Sequence, residues 1–350
     1  MHLSYLKNST GAAILTALFS ALLILTMPTF IQKILDRESE YQPVKVQGEG
    51  YPLLISDSLG HSTIIKKAPK RIISLTPSLT ETLCKINATE DLLAVTSFCK
   101  KSNPQFKKVL EGKIEIVNGI NPSAEQIAEM DPDLILTVSN SSPEFVSNIR
   151  KLGVPVIVFG NESLETVLGF IPVLGQITGH RSESLTLLET LTKRLTDIDT
   201  HVSHIPYTNR PSALIMFDLS GGGAGGESSF MGDILERAGG RNLAIETGSR
   251  WPTVSTEWMM EKDPSHIFLD DYREGDELGK AVLVLKEEVA KHPIFGKLSS
   301  VENDRLHIIG NNLIVIPGPR TVDAVEILHS LLYPDFVKNI PAQSPHEQSL

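Results

Sequence analysis

The chain has 350 residues, of which 41% are hydrophobic and 21% charged, and a net charge of −10 at pH 7. This composition supports the cores of two ordinary globular domains and excludes a chain disordered through its body. The acidic balance, without a basic stripe, argues against a nucleic-acid surface, and two cysteines, Cys84 and Cys99, are too few for a disulfide scaffold or a thiolate metal site.

No charged residue lies between Lys7 and Lys33, and the apolar run Gly11 to Ile31 is long enough to cross a hydrocarbon core of ~30 Å. Residues 1–36 are therefore an export signal or a membrane anchor. Thr26 to Ile31 fits a small-x-small cleavage site poorly, which favours an uncleaved anchor, and no cysteine follows the run to carry a lipid. Residues 37–50, polar and with Pro43, Gly48 and Gly50, read as a tether.

An N-terminal lobe over 51–163 opens with a hairpin of Pro52–Ser56 and Ser62–Ile65. The strand Arg71–Leu75 ends at Thr76-Pro77, and Ser78 with Glu81 reads as a capping box for a helix through Leu83. That helix buries Cys84, which disfavours a Cys84–Cys99 bridge. The strand Leu92–Thr96 leads into a loop, Ser97 to Pro104; a helix through Phe145 and Ile149 and the strand Val154–Phe159 follow. Alternating strands and helices imply a parallel sheet.

Residues 164–208 are connecting helices. Leu188, Leu191, Leu195, Ile198 and Val202 form an apolar stripe on a helix of ~24 residues, a stiff strut of ~36 Å. A C-terminal lobe over 209–335 begins with the strand Ser212–Phe217, then Gly221–Gly226 and a helix around Met231–Leu235 closed by Gly239-Gly240. It ends with the strand Leu306–Ile309, the sequence Pro317-Gly318-Pro319-Arg320 and a helix through Leu332. The tail 336–350 reads as flexible.

One pattern occurs in both lobes: Glu125-x-x-x-Glu129-x-Asp131-Pro132 and Glu257-x-x-x-Glu261-x-Asp263-Pro264. Each predicts a helix starting at the first Glu and stopping before proline, which disfavours helical geometry in the preceding residue, and then a buried strand. The fold class is thus α/β, two related lobes each carrying an acid in the first turn of a helix.

Gly221, Gly223 and Gly226 spell G-x-G-x-x-G after a strand, with Glu246 at the distance of a ribose-binding acid. Glu227-Ser228-Ser229 separate these glycines from the following helix, so a cleft-lining loop is the better reading and a nucleotide-dependent enzyme the alternative. His201 and His204 lack a third ligand nearby and suit a helix C-terminus, so no metal or cofactor site is assigned. Neither a G-x-S-x-G elbow, an H-E-x-x-H pair nor a catalytic cysteine context appears. Phe98 and Trp251-Pro252 place an aromatic in each lobe at a strand end, as a cleft for a large, flat ligand requires; packing of Trp251 under its own loop is the competing reading. Thr76 and Pro77, at the end of the first strand, join this ligand-binding set. Arg320 suits either an anionic ligand group or a surface salt bridge.

The ordered set Tyr51-Pro52, Asp57-Ser58-Leu59-Gly60, Ala68 to Leu75, Asn121-Pro122-Ser123-x-Glu125, Asp131 to Leu136 and Pro317 to Arg320 resembles the cobalamin and iron-siderophore substrate-binding proteins of ABC importers, over about Tyr51 to Pro334. The resemblance implies a class III periplasmic binding protein fold, two Rossmann-like lobes bridged by one long helix and moving little. It implies a monomeric, extracytoplasmic, non-enzymatic protein that holds a metal chelate such as cobalamin, haem or a ferric siderophore. It further implies that Glu125 and Glu257 dock onto arginines of the membrane permease, and Trp251-Pro252-x-Val254-Ser255 is similar to the stretch lining a cobalamin pocket. Phe98 falls where that family has a tyrosine. The glycine-rich insertion and the apparent anchor depart from the family pattern, which keeps open a tethered sensory or interaction module on the same fold.

Overall fold

A computed structural model describes residues 42–102, 115–117, 122–219, 223–273 and 275–338. The expected anchor segment, the start of the expected tether, Pro104, Asn121, Gly221 and the stretch beyond Lys338 lie outside the described residues.

The fold opens with a three-stranded antiparallel sheet, β1 (Lys45–Gln47), β2 (Leu53–Ser56) and β3 (Ser62–Ile65), in the order β1-β2-β3. The hairpin is as expected, but part of the expected tether pairs with it, because Val46 lies opposite Ile55 and packs partly buried on the core.

In the N-terminal lobe the elements are β4 (Ile72–Ser74), α1 (Pro77–Lys85), β5 (Leu92–Thr96), α2 (Ser97–Ser102), β6 (Glu115–Val117), α3 (Ala124–Glu129), β7 (Leu134–Val138), α4 (Pro143–Arg150) and β8 (Val156–Phe159). The strands form a parallel sheet in the order β6-β5-β4-β7-β8. β7 and β8 are buried along their whole length, as strands covered on both faces must be. The segment from Ser97, expected as a loop, begins with the helix α2.

Two helices connect the lobes: α5 (Leu164–Thr178) and the strut α6 (Arg181–Ser203), 23 residues long. Gly175 lets them meet closely, since a Cβ there would fall 2.0 Å from Ser184 Oγ. The C-terminal lobe follows with β9 (Ser212–Met216), α7 (Phe230–Arg237), β10 (Arg241–Asn242), α8 (Thr256–Lys262), β11 (His266–Asp270), α9 (Gly275–Lys291), α10 (Ser299–Glu302), β12 (Leu306–Ile309), α11 (Thr321–Leu332) and α12 (Pro334–Lys338). Its parallel sheet has the order β10-β9-β11-β12.

Strand alternation divides the core. Leu134, Leu136 and Val138 of β7, Ala213 and Ile215 of β9 and Phe268 of β11 join one apolar cluster that runs through both lobes by way of α5, α6, α7 and α11. Their neighbours face outward into two separate clusters, Ile135 in the N-terminal lobe and Leu214, Ile267 and Leu269 in the C-terminal lobe.

Three expectations are corrected. The capping box does not form: Pro77 starts α1, its N-cap Thr76 makes no side-chain cap bond, and Glu81 is turned inward. The tail does not begin at Phe336, which lies in α12 with its ring stacked on His201, centroids 4.1 Å apart. Cys84 is only partly buried, and neither cysteine forms a disulfide.

Candidate functional site

In each sheet the strand order reverses beside the first strand of the lobe, β4 or β9, and in open parallel sheets ligands collect outside the carboxyl ends at such a point. Two contacts bring these ends of the two lobes together. Glu81, one turn into the helix after β4, accepts from Arg320 Nε at 2.7 Å and from the Arg320 backbone N–H at 3.1 Å. Leu164 N–H, at the start of the helix after β8, donates to Asp233 of α7 at 2.8 Å.

Thr76 and Pro77 sit at the carboxyl end of β4, fixed by a buried network. Thr80 Oγ1 reaches Thr76 O at 2.9 Å, Ser74 Oγ at 2.8 Å and Cys99 Sγ at 3.3 Å; Thr96 Oγ1 lies 3.1 Å from the same sulfur. This ties the ends of β4 and β5 together and positions Phe98 in the first turn of α2, 43% exposed. Burial pushes the Cys99 thiol pKa up, so it serves as a packed donor and acceptor.

In the C-terminal lobe Trp251 is also 43% exposed, and Phe217, directly after β9, stands beside it with ring centroids 5.5 Å apart. The glycines hold this pair. Phe217 N–H donates to Gly223 O, Ala224 N–H to Pro252 O at 2.8 Å and Gly226 N–H to Arg250 O at 3.0 Å, so the segment zips against 249–253. A Cβ on Gly226 would lie 2.0 Å from Ser249 O. Gly226 therefore serves close approach between two backbone segments, and α7 begins only at Phe230, capped by Ser229. The nucleotide reading has no support in this arrangement.

Tyr272, after β11, is largely exposed and carries the Arg273 guanidinium over its ring, 5.6 Å from the centroid, with Arg273 paired to Asp271. Asp270, one residue earlier, has its carboxyl pKa pushed up to about 7 by burial and, secondly, by the Asp271 charge. Sequence reasoning missed Phe217 and Tyr272, although both stand at or just after the end of an apolar strand, the signal that picked out Phe98.

Arg320 is neither a surface ion pair nor exposed in the cleft. It is buried against Glu81, whose carboxyl pKa burial raises against the opposing pull of the guanidinium, and its Nη1 donates to Asn311 O at 3.2 Å. His201 and His204 diverge: His201 lies 3.2 Å from His329 Nε2, while His204 Nδ1 donates to Thr200 O at 2.7 Å. Among the described residues no cluster of three or more His, Cys, Asp or Glu could hold a metal.

Glu125 and Glu257 are exposed, each the second residue of its helix. Ser123 Oγ accepts from Gln126 N–H at 3.1 Å and Ser255 Oγ from Trp258 N–H at 3.2 Å. Ile127 and Met259, two positions on, are buried in the outward-facing clusters. Both helices end at a left-handed aspartate, Asp131 with φ 49° and Asp263 with φ 41°, which the following proline keeps out of helical geometry. The helix's own first-turn backbone and Ser255 hold the Glu257 carboxyl below its ordinary range.

The model of the periplasmic binding protein family matches residues 72–313 of this chain. The chain belongs to that family. Like other periplasmic binding proteins of this type it is a substrate-binding component of the ABC-importer class and not an enzyme. It is 25% identical over 303 residues to a Bacillus subtilis protein named an uncharacterized ABC transporter substrate-binding lipoprotein, covering 84% of this chain and 90% of that one. It is 22% identical over 279 residues to a cobalamin-binding protein of Halobacterium salinarum, covering 78% and 72%. Among solved structures the fold is similar to Helicobacter pylori CeuE in complex with Ni-His, with a TM-score of 0.69 at 17% identity, covering 82% and 90%. It is also similar to the vitamin B12 binding protein BtuF of Vibrio cholerae, with a TM-score of 0.62 at 22% identity, covering 76% and 97%. These likenesses agree with the class III fold implied by the sequence, two parallel-sheet lobes bridged by a long helix. Among the described residues no helix is long and apolar enough to cross a membrane.

Proposed function

We propose that the protein captures a metal-chelate nutrient of corrinoid size outside the cytoplasm, stays tethered through its N-terminal segment, and passes the ligand to a permease that it meets through Glu125 and Glu257. The observation that carries the reading is the set of exposed rings at the strand carboxyl ends, Phe98 on one lobe and Phe217 with Trp251 on the other. Rings give a broad, flat ligand large contact area with little side-chain entropy to lose. Thr76 at the end of β4 supplies a hydroxyl beside it, and Pro77 and Pro252 stiffen the neighbouring backbone. The relatives named for cobalamin favour a corrinoid over haem or a ferric siderophore.

The repeated acid helices suit a partner that presents a cationic site to each lobe. Both carboxylates are exposed, each beside the positive end of a capped helix, and neither is committed to a residue of its own lobe by an ion pair among the described residues.

Calorimetric titration and visible spectra with cyanocobalamin, haemin and a ferric hydroxamate test the ligand assignment. A corrinoid binds stoichiometrically with a perturbed spectrum if the reading is right; tight binding of haemin or the hydroxamate alone replaces the corrinoid, and binding of none of the three overturns the chelate class.

A further inference from the structure

The three-stranded sheet has two unlike faces. Leu53, Ile55 and Ile65 are buried against the core, whereas the register sets Lys45, Gln47, Leu54, Ser56, Ser62 and Ile64 on the other face. Leu54 and Ile64 are directly opposed across β2 and β3, Ile64 is 56% exposed, and Leu59 at the hairpin tip is exposed too. Lys45 lies on this face and Lys66 and Lys67 directly follow β3, all three exposed. Residues 42–70 carry four lysines against two acids in a chain of net charge −10; Asp57 is buried in an ion pair with Arg150 and Lys70 is paired with Asp91, which leaves three lysines against Glu49.

We infer that this lysine-rimmed face rests on the anionic surface of a bilayer. The inference builds on the anchor reading proposed above. The apolar N-terminal run ends at Ile31, and only thirteen residues separate it from Lys45, a reach of roughly 45 Å at full extension. Gln42 N–H donates to Ser58 O, so the chain enters the folded body beside the hairpin tip, next to the lysine face. Apolar side chains ringed by lysines suit the headgroup boundary, where the lysines meet lipid phosphates and Leu54, Leu59 and Ile64 meet the upper acyl region. A protein partner suits the face less well, since lysine is depleted in protein interfaces and two paired aliphatic side chains make a small apolar centre.

The test uses the full chain with vesicles of phosphatidylcholine alone or mixed with phosphatidylglycerol, read by flotation and by amide hydrogen exchange at residues 59–67. Wild type gains protection there only on the mixed vesicles. Lys45→Gln, Lys66→Gln and Lys67→Gln together abolish the gain, each lysine changing the surface affinity by about five-fold. Equal exchange on both vesicle types overturns the inference. Failure to float with phosphatidylcholine vesicles would instead defeat the anchor reading; flotation with the mixed vesicles by wild type and not by the triple variant then supports the lysine face, and flotation by neither overturns it.

Discussion

Ser123, Glu125, Ile127 and Asp131 in the N-terminal lobe have the same places as Ser255, Glu257, Met259 and Asp263 in the C-terminal lobe: cap, exposed acid, buried anchor and left-handed stop. At the carboxyl ends of the sheets that likeness is gone. One lobe offers Phe98 from a short helix fixed by a buried thiol and hydroxyls, and the other offers Phe217 and Trp251 held by a glycine-lined backbone zipper. A repeated surface suits a partner that presents the same feature twice. An asymmetric rim suits a single ligand with two different faces.

Four measurements break or sharpen this contrast. Glu125→Lys with Glu257→Lys should abolish uptake of labelled ligand by cells while leaving the purified protein's ligand affinity unchanged, because the acids stand on outer helices. Normal uptake removes docking from the likeness between the lobes, and loss of affinity moves the acids into the cleft. Glu81→Ala should cost about 3–5 kcal/mol in chemical denaturation, since it removes the carboxylate that pairs with a buried guanidinium where the lobes meet. A cost under about 1 kcal/mol would mean that the pair is solvated and does not join them. Trp251→Ala should weaken ligand binding by roughly 1–3 kcal/mol, and Phe98→Ala, which removes a ring with no ring contact among the described residues, by less. Equal losses would make the rim symmetric after all.

The smallest effect is a pH dependence that arises in the C-terminal lobe alone. Burial lowers the His266 and His307 imidazoles of β11 and β12 from 6.5 to about 4. Their neutral forms support folding fully above 6.5, and that contribution fades as pH falls toward 4, by on the order of 1–2 kcal/mol each. Asp270 acts in the opposite sense: its raised pKa penalises the folded state as pH climbs from 3.8 to about 7. Chemical denaturation should show stability falling as pH drops below 6, and Asp270→Asn should gain stability progressively as pH rises from about 4, reaching its full gain near 7. Stability that stays flat between pH 4 and 6.5 would contradict this assignment.

Periodicity and punctuation made much of the fold legible. The Asp-Pro steps gave both helix stops, and the apolar runs gave β5 and β12 at their observed limits. α9 escaped because its apolar residues do not form one stripe: Leu283 and Val284 face solvent and only Val289 is buried. β10, two residues long, is too short to carry a period. Of the candidate site, the exposure of Trp251 and of the two helix-start acids was legible because it follows from local pattern. The site was illegible where partners are remote: Arg320 and Glu81 lie 239 positions apart, and a capping-box pattern gave Glu81 a plausible local role that its burial forbids.

The apolar cluster that threads both sheets through α5, α6, α7 and α11 has a consequence for how the molecule melts. Neither lobe can lose its inner layer without exposing the other's, so the pair should behave as one cooperative unit on heating, with calorimetric and van't Hoff enthalpies in agreement. A ligand gripped by one rim would then raise the melting temperature of the whole body, and the opposite lobe would report the binding as clearly as the one that makes the contact.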